Sequence, residues 1–580
     1  MEKRAILAAM LMVAVLLIYQ ILFIQPPDTK PVASPPQKTE SPTPGPASSS
    51  SGPAAPAPAA SAPSSVPPLP AKGVTAVPDH VVLIETPLYR AEIASLGGQV
   101  RKWELNYRGQ KPLVATGLLA SRGLEVVRAG QAPRPLAFVL SADSIQLSKE
   151  RPQGELRMVG EDGFGLRITQ TLRFRADNYV IEQDIKVENR HTVPQSAQIL
   201  SPWRAPIEPP KDVTEKFQGQ HPIRVVQMTQ GSVQREVLAK IGDRAGDGQW
   251  VALESEWYLA ALIPRSPGFQ LVEAKLSESK PDQPKPVELA QIALRASLPQ
   301  LQPGQAWEGR AELYLGPKEH DRLKAIGVGL EKSIYFGGFP MPQAYGGLPM
   351  EWLAVPILWL LNLFFTYTRN YGVAIILLTI ITKVVFFPLT VKSMTSMKAM
   401  QALQPQINAL RSKHKSDPQR LQQETMALYR EHKVNPLGGC LPMIVQIPIF
   451  YALYVALSVA VEMQNAPFIH LGTLPNWFPW LGGQCVWICD LAVHDPTYVL
   501  PILMGVSMFI QQKMTPVMGD PRQAKMMLFM PVVFTFMFLN LPSGLVLYWT
   551  LSNVLQIAQQ KYMERSAKIN KTPVRSGKKA

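Results

Sequence analysis

Lys383 sits near the middle of an otherwise apolar run, Tyr371 to Val391 (YGVAIILLTIITKVVFFPLTV). About 20 helical residues cross the roughly 30 Å of a bilayer's hydrocarbon, so the run is long enough to span. A charge at the centre of such a helix costs roughly 2.5–3.5 kcal/mol on insertion scales, and is retained where it faces a wet cavity or a polar partner. The chemistry this permits is electrostatic: an amine that attracts anionic groups or exchanges a proton inside the membrane. The plain structural alternative is a lysine that snorkels to the nearer interface.

No metal-spaced Cys/His cluster, P-loop or GxSxG motif occurs in the 580 residues. Hydrolytic and nucleotide chemistry therefore lack sequence support, and neither an enzyme nor a cofactor is expected. Three cysteines are too few for a disulfide framework. Hydrophobic residues make up 46%, yet there are 55 prolines and a formal charge of +15. These averages hide a polar half, residues 25–340, and an oily half, residues 350–563. A basic balance can indicate nucleic acid, but here the positive residues border apolar spans, which points to membrane topology.

The elements that position Lys383 follow from hydropathy and charge. Residues 1–25 begin with Lys3 and Arg4 and continue as an apolar run, Ala5 to Ile24. This run is longer than the core of a cleaved signal peptide and lacks a small-x-small site before Gln25-Pro26-Pro27, so an uncleaved signal anchor is expected. Residues 26–79 hold 16 prolines among Ala, Ser and Gly and read as a disordered tether. Further spans are expected at 371–391, 437–460, 497–514, 525–541 and 543–562. Eight Lys/Arg lie in 392–436, three in 513–525 and seven in 561–580, against none in 461–496 or 540–543. That asymmetry places the basic segments and both termini in the cytoplasm, with 25–370 outside. An even number of crossings follows. The apolar run Met350–Thr368, with Trp352, Pro356 and Trp359, is then expected to lie in the outer interface as an amphipathic helix within a connector, 326–370.

Residues 80–325 change to period two. Leu166, Ile168, Leu172 and Phe174 alternate with polar residues; after the turn Ala176-Asp177-Asn178, the positions Tyr179, Ile181, Ile185 and Val187 alternate again. That predicts a β-hairpin with one buried face and, repeated along the segment, a β-sandwich. Glu182, Asp184 and Glu188 read as its solvated face. Residues 392–436 read instead as a helical hairpin. Met394, Met397, Met400, Leu403, Ile407 and Leu410 form one stripe, Ser416-Asp417-Pro418 supplies an N-cap and a first-turn proline, and Leu421, Thr425, Leu428 and Tyr429 face back. The Met-rich stripe serves either as hairpin core or as an adaptable cover for passing hydrophobic segments. The basic tail, 563–580, suits either ribosomal RNA or anionic lipid.

Five stretches follow one another across most of 371–562: IILLTIITKVVFFPLT (Ile375–Thr390), SMKAMQALQP (Ser396–Pro405), NPLGGCLPMIVQIPIFYALY (Asn435–Tyr454), DPTYVLPILMGVSMFIQQKM (Asp495–Met514) and LPSGLVLYWTLSNVLQIAQQ (Leu541–Gln560). In order and spacing they resemble the YidC family of membrane protein insertases (the Oxa-type superfamily), in its Gram-negative branch. A weaker local likeness is Ser95-Leu-Gly-Gly-Gln-Val100. The resemblance implies a multi-pass α-helical protein of the cell inner membrane. Six transmembrane helices are implied, five of them forming an insertase core around a hydrophilic groove, plus a large periplasmic β-sandwich domain. The implied function is insertion and folding of inner-membrane proteins, alone or beside the Sec translocon. Implied partners are nascent membrane proteins, the Sec translocon, membrane lipids, and the ribosome through the cytoplasmic hairpin and basic tail.

Within the resemblance, Lys383 matches the family's basic groove residue, where most relatives carry Arg. An ammonium lacks the planar fork that grips a carboxylate with two bonds, but keeps the electrostatic attraction. Thr379, at i−4 on the same face, and Gln446 match groove-lining positions; each reads equally as a hydrogen bond gluing two helices. Ile447, Phe450, Tyr548 and Trp549 are candidates for an apolar slide, or ordinary bundle packing. Cys485 and Cys489 in the outer loop form either a disulfide or a pair of buried thiols beside Trp487. Cys440 reads as a packed thiol. The alternative function is a secondary transporter using Lys383, against which stands the lack of an inverted repeat.

Overall fold

The computed structural model describes residues 79–569 apart from 218, 280–285, 340–346, 415–416, 433, 435–440, 469–486 and 515–520. The signal-anchor run, the tether up to residue 78, Cys440, Cys485 and the tail beyond 569 lie outside the described residues.

Strand-forming alternation dominates residues 81–317. Leu166–Arg175 pairs antiparallel with Val180–Asn189, with Leu172 opposite Gln183 and Ile168 opposite Val187. Their even and odd positions respectively are buried, as period two requires when one face meets a core. The hairpin sits inside a nine-stranded sheet, next to Ala306–Pro317 on one side and Gln153–Glu161 on the other. A seven-stranded sheet centred on Val287–Ser297 and Gln198–Pro206, and a five-stranded sheet beginning at Val81–Glu85, complete the layers. Trp103, Trp203 and Trp250 are buried between them. Trp103 stacks on Tyr89 with centroids 4.1 Å apart. Its indole N–H donates to the carbonyl of Leu315 at 3.1 Å, tying the five-stranded sheet to the nine-stranded one. The solvated face expected of the hairpin is laced with ion pairs, Arg173 to Asp184 at 2.7 Å and Lys186 to Glu188 at 3.1 Å. At Ser95–Val100 the turn between two strands uses Gly97 and Gly98, both with positive φ, 71° and 64°. A side chain at Gly123 would meet the carbonyl oxygen of Gly97 at 2.4 Å, so this crossing admits glycine alone.

The oily half is helical. Glu351–Thr368 is one continuous helix of 18 residues with Pro356 inside it. Ala354, Leu358 and Leu361, spaced i, i+4, i+7, are buried, while Trp352, Trp359 and Tyr367 are exposed. Among the described residues it is the one helix long and apolar enough to cross a bilayer in a single straight piece. It turns into the next helix through Arg369, at φ 55°, and Asn370, whose side-chain oxygen caps the backbone N–H of Val373 at 3.1 Å.

The expected span 371–391 is broken. Tyr371–Val385 and Phe387–Ala402 are separate helices bent by 58° at Phe386. Pro388 explains the break: it lacks an N–H and its ring clashes within a helix interior, but fits the first turn of a new one. The straight piece has 15 residues, which at 1.5 Å each is about 22 Å, shorter than the hydrocarbon slab. The stretch expected to be cytoplasmic is likewise broken up, into three helices, Phe387–Ala402, Gln404–Lys413 and Pro418–Glu431. Pro405 near the start of the second produces that extra break. Asp417 caps the third, accepting from the backbone N–H of Arg420 at 3.0 Å. Leu441–Val459, Val499–Met514, Pro521–Phe538 and Ser543–Ile569 complete the bundle. Gly505 lets two of them close up: a Cβ there would meet Thr535 Oγ1 at 2.0 Å.

Candidate functional site: a polar string around Lys383

The break at Phe386 moves Lys383 from the middle of a span to the last turn of its helix. Four carbonyls are unsatisfied at a helix C-terminus, where the backbone dipole favours a cation by about 0.3–1 kcal/mol. Lys383 is half-buried, and its Nζ donates to Oε1 of Gln556 at 3.1 Å. Among the described residues no carboxylate lies within ion-pairing distance of this amine. A neutral amide satisfies one donor without cancelling the charge.

Gln556 belongs to a polar stripe on Ser543–Ile569. Asn553, three residues earlier, donates to Ser507 Oγ at 3.3 Å, and Gln560, four residues later, donates to the carbonyl of Met514 at 2.7 Å. The spacing i, i+3, i+7 puts all three on one helix face. A second string starts one residue from Lys383. The hydroxyl of Tyr548 faces the side chains of Thr382 and Gln446, and the Thr382 hydroxyl donates to the carbonyl of Thr379 at 2.8 Å. Gln446, Tyr548 and Thr382 thus stand together, with Thr382 one residue from Lys383. The Thr379 side chain does not join them: it is fully buried, and its hydroxyl donates to the carbonyl of Ile375 in its own helix at 2.6 Å.

The apolar candidates divide as well. Phe450 meets Trp549 edge-on at 4.3 Å and lies 6.5 Å from Tyr548, and Trp549 lies 4.9 Å from Phe538. That is a packed aromatic cluster, with Tyr548 only 3% exposed. Ile447, 45% exposed, is the member that presents itself outward. Gln556, Thr382 and Asn553 join the site only through the fold. Their signal was available, since a Gln or Asn recurring on one face of a membrane helix needs a partner. Cys489 is held in a disulfide. Asp495 accepts from the backbone N–H of Leu500 at 2.8 Å, capping the helix that follows.

These features define a helical membrane protein carrying a large outer β-domain, with a polar, cation-bearing seam set into its bundle. Comparisons with known proteins agree. The model of the 60Kd inner membrane protein family matches residues 363–571, and that of the YidC periplasmic domain matches residues 81–360. The membrane protein insertase YidC of Syntrophus aciditrophicus (strain SB) is 38% identical over 590 residues, covering 98% of this chain and 100% of its own. That of Geobacter metallireducens is 36% identical over 583 residues, covering 98% and 99%. A solved active YidC insertase with its first transmembrane domain resolved is 18% identical, covers 83% of this chain and 95% of its own, and superposes with a TM-score of 0.35. The chain belongs to the YidC family of membrane protein insertases, inner-membrane proteins with a periplasmic domain.

Proposed function

We propose that this chain inserts and folds inner-membrane proteins by offering their polar segments a hydrophilic groove walled by Lys383, Gln446, Thr382 and Gln556. The observation that carries the reading is the Lys383–Gln556 pair, a cation held by a neutral amide inside an apolar bundle. A client's outer segment must cross hydrocarbon in which backbone and charged groups find no partners. Every ångström of wet wall shortens that path, and the about 22 Å length of the Lys383 helix shortens it again, since a short helix thins the bilayer around it. An acidic group on the client then displaces Gln556 and pairs with the amine. The client's apolar segment leaves along Ile447 toward lipid, driven by burial worth roughly 25 cal/mol per Å². No nucleotide is consumed.

In this reading six helices cross the membrane, both termini are cytoplasmic, and Glu351–Thr368 rests at the outer interface. Large clients are handled beside the Sec translocon. The helices Gln404–Lys413 and Pro418–Glu431, with the basic tail, meet the ribosome. Cys485 is the partner of Cys489. The test is a pair of clients identical except for acidic or neutral outer tails, inserted by native protein and by Lys383→Glu. Loss confined to the acidic-tailed client supports the reading; normal insertion of both defeats it.

A further inference from the structure

A cavity of about 290 Å³ opens between the outer β-domain and the membrane bundle, at the end of the Lys383 helix opposite the amine. Its size is at the lower edge of small-ligand pockets, roughly 300–1,000 Å³, which suits a compact headgroup. Glu462, just past the helix Leu441–Val459, lines it and is 9% exposed. The Asn362 side chain lies beside this carboxylate, and the hydroxyl of Tyr371 donates to Asn362 Oδ1 at 2.9 Å. The second oxygen, Oε2, has no hydrogen-bond partner among the described residues.

The other carboxylates around the cavity are already engaged. Glu319 pairs with Arg322, and Asp321 meets His320 at 3.1 Å. Arg108 lies over the rings of Phe365 and Tyr371, at 5.6 and 5.1 Å. It occupies the tip of a β-hairpin with φ 48°, a left-handed conformation that non-glycine residues seldom adopt. Asn465 secures that tip by donating to the carbonyl of Arg108 at 3.2 Å. The cavity therefore presents one acceptor needing a donor and one guanidinium able to meet a phosphate. The carboxylates do not converge into a metal-ligating group among the described residues. The ligand class that fits is an organic ammonium with N–H donors joined to a phosphate.

We propose that this cavity binds the zwitterionic headgroup of an aminophospholipid, its ammonium donating to Glu462 and its phosphate meeting Arg108. The lipid assignment rests on the outward placement of residues 25–370 proposed above. That placement puts the cavity at outer headgroup depth, lined in part by Asn362 and Phe365 of the helix that also carries the exposed Trp352, Trp359 and Tyr367. A choline headgroup carries the same phosphate but no N–H, so it leaves Oε2 without a partner.

The test uses the full chain in detergent, titrated with dihexanoyl phosphatidylethanolamine or dihexanoyl phosphatidylcholine while thermal unfolding is followed. The ethanolamine lipid is expected to raise Tm saturably with at least tenfold tighter apparent binding than the choline lipid. Glu462→Gln, close in shape, is expected to abolish that preference, and Arg108→Gln to weaken both lipids alike. Equal binding of the two lipids, or a preference that survives Glu462→Gln, overturns the proposal. So does lysine amide binding as tightly as the ethanolamine lipid, which would assign the site to protein side chains. Orientation is checked separately by labelling Asp321→Cys with an impermeant maleimide. Labelling from the cytoplasmic side would defeat the topology, whereas lipid selectivity in detergent is read whatever the orientation.

Discussion

The amine of Lys383 and the amide of Gln556 meet at 3.1 Å although 173 residues separate them. The contact joins the helix Tyr371–Val385 to the last described helix, Ser543–Ile569, and holds the cation without neutralising it. Gln556→Glu would turn the neutral partner into a resident anion competing with clients. A unit charge pair at 4 Å is worth about 1 kcal/mol in water and about 4 kcal/mol near a protein surface. Insertion of acidic-tailed clients, read by protease protection in inverted vesicles, is therefore expected to fall about tenfold, and that of neutral-tailed clients by less than about twofold.

Gly505 packs where a Cβ would sit 2.0 Å from Thr535 Oγ1. Gly505→Val is expected to force Val499–Met514 away from Pro521–Phe538, at the roughly 1–3 kcal/mol typical of overpacking. Thermal unfolding in detergent should show a Tm lower by several degrees, and Gly505→Ala a smaller loss.

The carboxyl of Glu462 is pushed up to about 7, chiefly by burial, with Glu319 adding to the rise and Arg108 opposing it. Its folded state thus holds a proton that the unfolded chain releases near the ordinary value of 4.5. Stability from this group is fully present below about pH 4.5 and is lost as pH rises through about 7. Glu462→Gln keeps the protonated shape at every pH. In lipid-free detergent its Tm is expected to match the native protein near pH 5, to exceed it progressively up to about pH 8, and to run parallel above.

In the outer domain, Trp103 joins two sheets by stacking on Tyr89 and donating to Leu315. Trp103→Ala is expected to cost about 3–5 kcal/mol of that domain's stability. Measured by tryptophan fluorescence unfolding, the β-domain transition should move down while client insertion persists.

Much of this architecture was legible in the sequence, and the exceptions have physical causes. The hairpin 166–189 was readable because period-two burial leaves an unmistakable trace. The cap at Asp417 was readable because capping is local. The bend at Phe386 was missed because hydropathy runs smoothly through Pro388, and only the ring's backbone demands reveal it. At the candidate site Gln446 and Tyr548 stand with Thr382, one residue from Lys383, but Thr379 turns its hydroxyl onto its own helix. Gln556 and the cavity at Glu462 depend on partners over a hundred residues away along the chain, which no local pattern encodes.

The central claim is that water reaches the Lys383 amine from the cytoplasm. With Cys440, Cys485 and Cys489 replaced by serine, Lys383→Cys and Gln556→Cys can be reacted with an impermeant thiol reagent in inverted vesicles. The account predicts labelling of both at rates within about tenfold of a cytoplasmic control at Lys392→Cys, and suppression of that labelling by a stalled client. Labelling no faster than that of a lipid-facing control at Phe536→Cys would contradict it.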